Sequence, residues 1–153
     1  MAPLLAACSG FLFAVLWMDL IFDAQVFRHR GADELPEPVL ASIAGYYHRA
    51  TTTSRPMGRL IALVMLVLLG SLGFQATRGH DPAWLLVTSA LLAGIPIMLA
   101  LTQTVPDAVR LGHRTDSAPE QTRLARSICR DHLICVCCIL GFLVLWVAHA
   151  VVL

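Results

Sequence analysis

Lysine is absent from this chain of 153 residues, and charge of either sign is scarce. Only 14% of the residues are Asp, Glu, Lys or Arg, against about 25% in an ordinary soluble domain. The apolar share is 58%, above the roughly 45–50% of soluble domains, and the mean hydropathy is +0.74. Together these shortages exclude an ordinary soluble domain and point to one membrane domain over residues 1–153. All 11 basic residues are arginine. That fits a GC-rich coding bias and leaves room for anion binding.

Other absences narrow the class. No apolar run alternates with polar residues as a barrel strand does, so the spans are helices. No internal repeat is evident, which argues against a transporter built from inverted halves. No ion-selective filter is recognisable. The arginines flank apolar runs instead of forming a basic face, so nucleic acid is not an expected partner.

Four segments are long and apolar enough to cross a core about 30 Å thick. They run roughly Pro3–Phe27, Met57–Thr77, Pro82–Gln103 and Ile128–Leu153. The expected fold is an all-α integral membrane protein: an antiparallel four-helix bundle in the lipid bilayer. Two N-terminal features imitate processing signals. Leu5-Ala6-Ala7-Cys8 resembles a lipoprotein cleavage box, and the first span resembles a signal peptide. A signal needs a basic n-region, but the first basic residue is Arg28, so the first span is expected to be retained.

Charge assigns an orientation. The first connection and its flanks hold Arg28, Arg30, Arg49, Arg55 and Arg59; the third holds Arg110, Arg114, Arg123, Arg126 and Arg130. The second has only Arg78. The positive-inside rule then places the first and third connections in the cytoplasm and both termini outside, as in a bacterial-type inner membrane. Within the first connection, Leu40, Ile43, Ala44 and Tyr47 recur at helical spacing after the Pro36-Glu37-Pro38 turn. An amphipathic interfacial helix is expected there, with Tyr46 and Tyr47 at headgroup level. The middle of the third connection, Gly112 to Thr122, is polar and reads as flexible. Gly70 and Gly73, with Ser89, Ala90, Ala93 and Gly94, offer close helix approach, and Pro96 a kink.

Polar residues inside spans are the candidates for chemistry. Asp19 and Asp23 lie four apart, on one helix face. A carboxylate at bilayer depth is unfavourable by about 2.5–3.5 kcal/mol, so each needs a partner. Orientation gathers Asp19, Asp23, His48, Arg49, Arg59, Asp107, Arg130, Asp131 and His132 at the cytoplasmic end, leaving His80, Asp81 and His149 at the other. Asp19 and His132 are candidates for acid/base work, with Arg59 and Arg130 to stabilise negative charge. Asp19, Asp23, His48, Asp131 and His132 are also the donor types of an iron, manganese or zinc site, so the cofactor is open between none and such a metal. The bland alternative is a set of ion pairs that fixes helix register.

Cysteines add little chemistry. The vicinal pair Cys137-Cys138 lacks zinc or thioredoxin spacing. Asp131, Cys135, Cys138, Phe142, Leu145 and His149 form a stripe toward the bundle, where Cys acts as a small apolar residue. Trp17, Trp84 and Trp146 read as packing or interface anchors.

Two patches carry a family likeness. Thr104-Val105-Pro106 followed by Asp107-Ala108-Val109-Arg110-Leu111, and the Arg126–His132 start of the last span, resemble the anthrone-oxygenase-like family of small four-helix membrane proteins. That family tends to carry Asn where this chain has Asp107, and a Trp before the His. The resemblance implies oxygen chemistry on a polycyclic or quinone-like substrate with no essential metal. Three functional expectations follow: an oxidoreductase-like enzyme on a lipophilic small molecule, a metal- or cofactor-binding protein, or a non-catalytic subunit of a membrane complex. Self-association into a homo-oligomer is compatible with each.

Overall fold

The structure, a computed structural model, describes residues 1–79 and 81–152. All regular structure among them is helical, and four helices are long and apolar enough to cross a membrane. The chain is thus a multi-pass all-α membrane protein.

Helix α1 (Ala2–Asp23) carries Pro3 in its first turn, where the missing N–H has no partner to lose. It runs on as a 3-10 turn, Ala24–His29. Helix α2 (Glu37–Thr52) has Pro38 and Glu37 in its first turn, the acid lying at the positive end of the helix dipole. Helix α3 (Arg55–Arg78) stops at Gly79, whose φ of 65° is a conformation glycine adopts without strain. Pro82 then caps α4 (Ala83–Leu99).

The third crossing does not end at Gln103 as expected. It passes through a π-helical turn, Ala100–Thr104, into α5 (Val105–His113), so that Ala83–His113 is one rod of 31 residues. At about 1.5 Å per residue that exceeds a bilayer core of about 30 Å, and α5 projects beyond it. The cause is local. Pro106 lacks the N–H that would continue the ladder, and the wider turn re-registers the chain around it. Threonine hydroxyls bond back to the preceding turn there: Thr102 donates to Met98 O (2.6 Å) and Thr104 to Leu99 O (3.3 Å). Helix α6 (Ala118–Val152) starts ahead of the expected Ile128, which shrinks the flexible stretch to a break around Arg114–Ser117.

Two hydrophobic cores result. One lies among the crossings and includes Leu5, Leu12, Leu68, Leu85, Ile139, Phe142 and Trp146. The other fills a small head made by α2, α5 and the start of α6, with Leu40, Ile43, Ala44, Leu111, Leu124 and Ile128 buried in it. The apolar stripe of α2 is the one its spacing predicts, but it faces this head, not a lipid surface. Gly112 permits the contact. A Cβ there would stand 3.0 Å from the backbone nitrogen of His48.

Within the bundle, α1 packs along α6, α4 along another side of α6, and α3 against α1. Helices α3 and α4 touch little although a tight turn joins them, so they diverge away from it. Of the expected close-approach residues, Ser89 and Ala93 are buried, and Ser89 Oγ accepts a hydrogen bond from Trp146 Nε1 at 2.9 Å. Gly70, Gly73 and Gly94 are not at close contacts: an added Cβ would meet nothing within 4 Å. Trp17 and Trp84 are exposed, as anchors are.

Candidate functional site

Asp19 and Asp23 lie on α1 at the seam between the two cores. Asp23 is fully buried, and the Asp19 side chain keeps 19% of its surface exposed. Their partners come from α2. Tyr47 Oη donates to Asp23 Oδ1 at 2.7 Å, and Tyr46 Oη donates to Asp19 Oδ1 at 2.5 Å. Consecutive residues on a helix diverge by about 100°, so one flank of α2 reaches two successive turns of α1. Tyr46 is further held by stacking on Phe22, with ring centroids 4.0 Å apart. Burial, and then the adjacent carboxylates, raise both phenols above their ordinary range, so each keeps its proton and remains a donor.

The last helix completes the cluster. His132 Nδ1–H donates to Asp23 Oδ2 at 2.6 Å, and its Nε2 stands 3.9 Å from Asp19 Oδ2. Tyr47 Oη lies 3.4 Å from the same Nδ1. With Asp23 accepting the hydrogen bond from Nδ1–H, Nε2 is the ring nitrogen turned toward Asp19. Among the described residues, no arginine forms an ion pair with Asp19 or Asp23. Tyrosines and a histidine do the work expected of guanidinium groups.

The other sequence candidates fall elsewhere. Arg59 is exposed on α3, and His48 and Arg49 are exposed on α2. The one-residue step from Tyr47 to His48 turns His48 away from the seam. Arg130 is exposed and reaches only Asp131, at 3.0 Å. Asp131 is buried, but it faces the π turn, with Thr104 Oγ1 at 3.5 Å. Asp107 lines an outer groove beside Arg123 and Arg126. Among the described residues, no three His, Cys, Asp or Glu side chains converge on a point suited to a metal ion. At the opposite end Asp81 and His149 pair at 3.0 Å, and His80 lies outside the described residues.

Asp19 and His132 stand on the wall between two spaces. On the bundle side is a chamber of about 190 Å³, walled by α1, α3, α4 and α6 through residues such as Leu16, Met65, Pro96 and Ile139. Among the described residues, Asp19 and His132 are, apart from the Cys135 thiol, its only hydrogen-bonding side chains. An apolar cavity of about 150 Å³ accommodates benzene, so this one has room for an aromatic ring system. The chamber lies where α3 and α4 diverge. On the head side is a space of about 410 Å³, bordered by Tyr46, Tyr47, Arg49 and Ser54.

Sequence reasoning missed Tyr46, Tyr47 and Thr104 as partners. The available signal was Tyr47 inside the apolar stripe of α2, since a buried phenol needs an acceptor. Comparison with protein families, with curated proteins and with solved structures finds no match to this chain.

Proposed function

We propose that this protein is a membrane enzyme that moves a proton on a lipophilic, weakly acidic substrate held in the chamber between the four crossings. One observation carries the reading: His132 is fixed by a buried carboxylate at Nδ1, and with Asp19 it supplies the polar end of an otherwise apolar chamber. In this reading His132 Nε2 takes the proton. Asp23 holds the ring in its tautomer and stabilises the imidazolium that forms. Asp19, within 3.9 Å of Nε2, is the next acceptor. A quinone-like substrate in its reduced, phenolic form is such a weak acid, and this is the substrate class that the anthrone-oxygenase-like resemblance suggests. Substrate enters from the lipid between α3 and α4.

Charge counting limits the chemistry. Two carboxylates and one imidazole leave the cluster negative even when His132 is protonated. With Arg59 and Arg130 turned away, developing negative charge has no guanidinium to meet, so catalysis rests on proton transfer, not on oxyanion stabilisation. The arginine-rich connections favour a cytoplasmic head and outward termini in a bacterial-type inner membrane.

The test uses a lipophilic molecule that co-purifies with the protein in mild detergent and is identified by mass spectrometry. His132→Gln and Asp19→Asn should keep binding it and lose turnover by about 10²–10⁴-fold, the usual range for a general base. Wild-type turnover in both variants overturns the assignment. A second reading, a structural clamp, is favoured by the full satisfaction of Asp23. It predicts that the same variants alter only expression and unfolding.

A further inference from the structure

Helix α6 carries Arg123, Arg126 and Arg130 at spacings of three and four, hence on one face. They border a groove of about 610 Å³ whose other wall is Thr102 and Gln103 of the π turn and Asp107 of α5. On the far flank of the same ridge, Arg126 and Arg130 line a second groove together with Arg30 and Leu133. The four guanidinium groups are not equally engaged. Arg123 is held by Glu120 at 2.8 Å and Arg130 by Asp131 at 3.0 Å. Arg30 and Arg126 have no carboxylate within 4.0 Å among the described residues. Arg126 donates to the carbonyls of Ala32 (2.5 Å) and His29 (3.5 Å), and Arg30 lies over the Phe27 ring at 4.3 Å.

The surface below the ridge is apolar. One turn on from Arg130, Leu133 and Ile134 are exposed, and Leu133 and Phe27 line both the arginine groove and an apolar groove with Trp17 and Ile21. Positive charge directly above an apolar track is the complement of a phosphate joined to acyl chains. Guanidinium groups bind phosphate oxygens in a bidentate fork, and a free phosphate would leave the apolar track unused. We propose that this ridge is a binding site for an anionic phospholipid, with its phosphate on Arg30, Arg126 and Arg130 and its chains along Leu133, Phe27 and the exposed Ile134. A zwitterionic lipid brings an ammonium group toward the same arginines and fits less well.

The experiment is native mass spectrometry of the full chain released from bilayers holding equal phosphatidylglycerol and phosphatidylcholine. Wild type should retain phosphatidylglycerol preferentially. Arg30→Gln and Arg126→Gln should each lower that retention about fivefold, the equivalent of about 1 kcal/mol per basic side chain at an anionic surface. Arg30→Gln guards against misfolding, because that guanidinium covers only Phe27. The control is Arg55→Gln with Arg59→Gln, exposed on α3 at the same end, which should change nothing. Equal retention of the two lipids overturns the proposal. So does an equal loss in the α3 control, which would mean a diffuse surface field. Full displacement of phosphatidylglycerol by inorganic phosphate would reassign the ridge to a soluble phosphate ligand and likewise overturn it.

Discussion

Replacing Tyr47 by Phe isolates one bond of the buried cluster. The ring is 4% exposed and its packing survives the change; what is lost is the O–H that donates to Asp23 Oδ1 at 2.7 Å. Asp23 is fully buried, so no water takes over that oxygen. A hydrogen bond to a charged group contributes about 1.5–3 kcal/mol, and the loss should fall in that range. The same change at Tyr46 should be smaller, below about 1 kcal/mol, because Asp19 keeps 19% of its side-chain surface open to a replacement donor. Reversible unfolding in mixed micelles, followed by circular dichroism, reads both. A cycle with Asp23→Asn should show a coupling of about 1 kcal/mol or more between Tyr47 and Asp23. If Tyr47→Phe stays within about 0.5 kcal/mol of wild type, the ordinary range for an uninvolved site, or if Tyr46→Phe is the more damaging, the account of the seam is wrong.

The chain has only two tyrosines, so their ionisation can be followed by ultraviolet absorbance without labelling. Both phenols are raised by burial and by their carboxylate partners. Their stabilising contribution is therefore intact below the ordinary tyrosine value of about 10 and is lost as pH rises beyond it, at up to about 1.4 kcal/mol per pH unit for Tyr47. Tyrosinate should appear only together with loss of helical signal; a titration near pH 10 with the helices intact would contradict the buried bonds. Gly112→Ala gains up to about 1 kcal/mol of helix propensity but drives a Cβ to 3.0 Å from the α2 backbone, for which about 1–3 kcal/mol of overpacking is expected. Net destabilisation, with faster hydrogen exchange in α2, is the expected result, and a stabilised variant would refute the close approach.

Much of the architecture is legible in the sequence because it follows from runs and periods. The four crossings and the buried stripe Leu40, Ile43, Ala44 and Tyr47 are of this kind. What α2 packs against is not legible, since an amphipathic stripe fits a lipid surface and a protein surface equally well. The π turn is not legible because Thr104-Val105-Pro106 reads as a helix end, whereas one widened turn lets the rod run on through Pro106. Spacing joins Asp19 to Asp23, but only depth joins them to His132, and depth also gathers Arg59 and His48. Depth ranks residues along the membrane normal but says nothing of rotation about each helix, and rotation separates the two groups. The tyrosine partners depend on that same rotation, at a helix whose docking was unknown.

The seam between the cores also bears on how the chain enters the membrane. Asp19 and Asp23 lie on α1, and His132 lies much further along the chain on α6. During synthesis the two carboxylates precede their imidazole by more than a hundred residues, since the Asp23–His132 separation is 109. Tyr46 and Tyr47 follow much sooner, 27 and 24 residues behind the carboxylates they serve. Helix α2 can therefore shield the acidic face of α1 before the later crossings arrive, holding it ready until α6 closes the bundle.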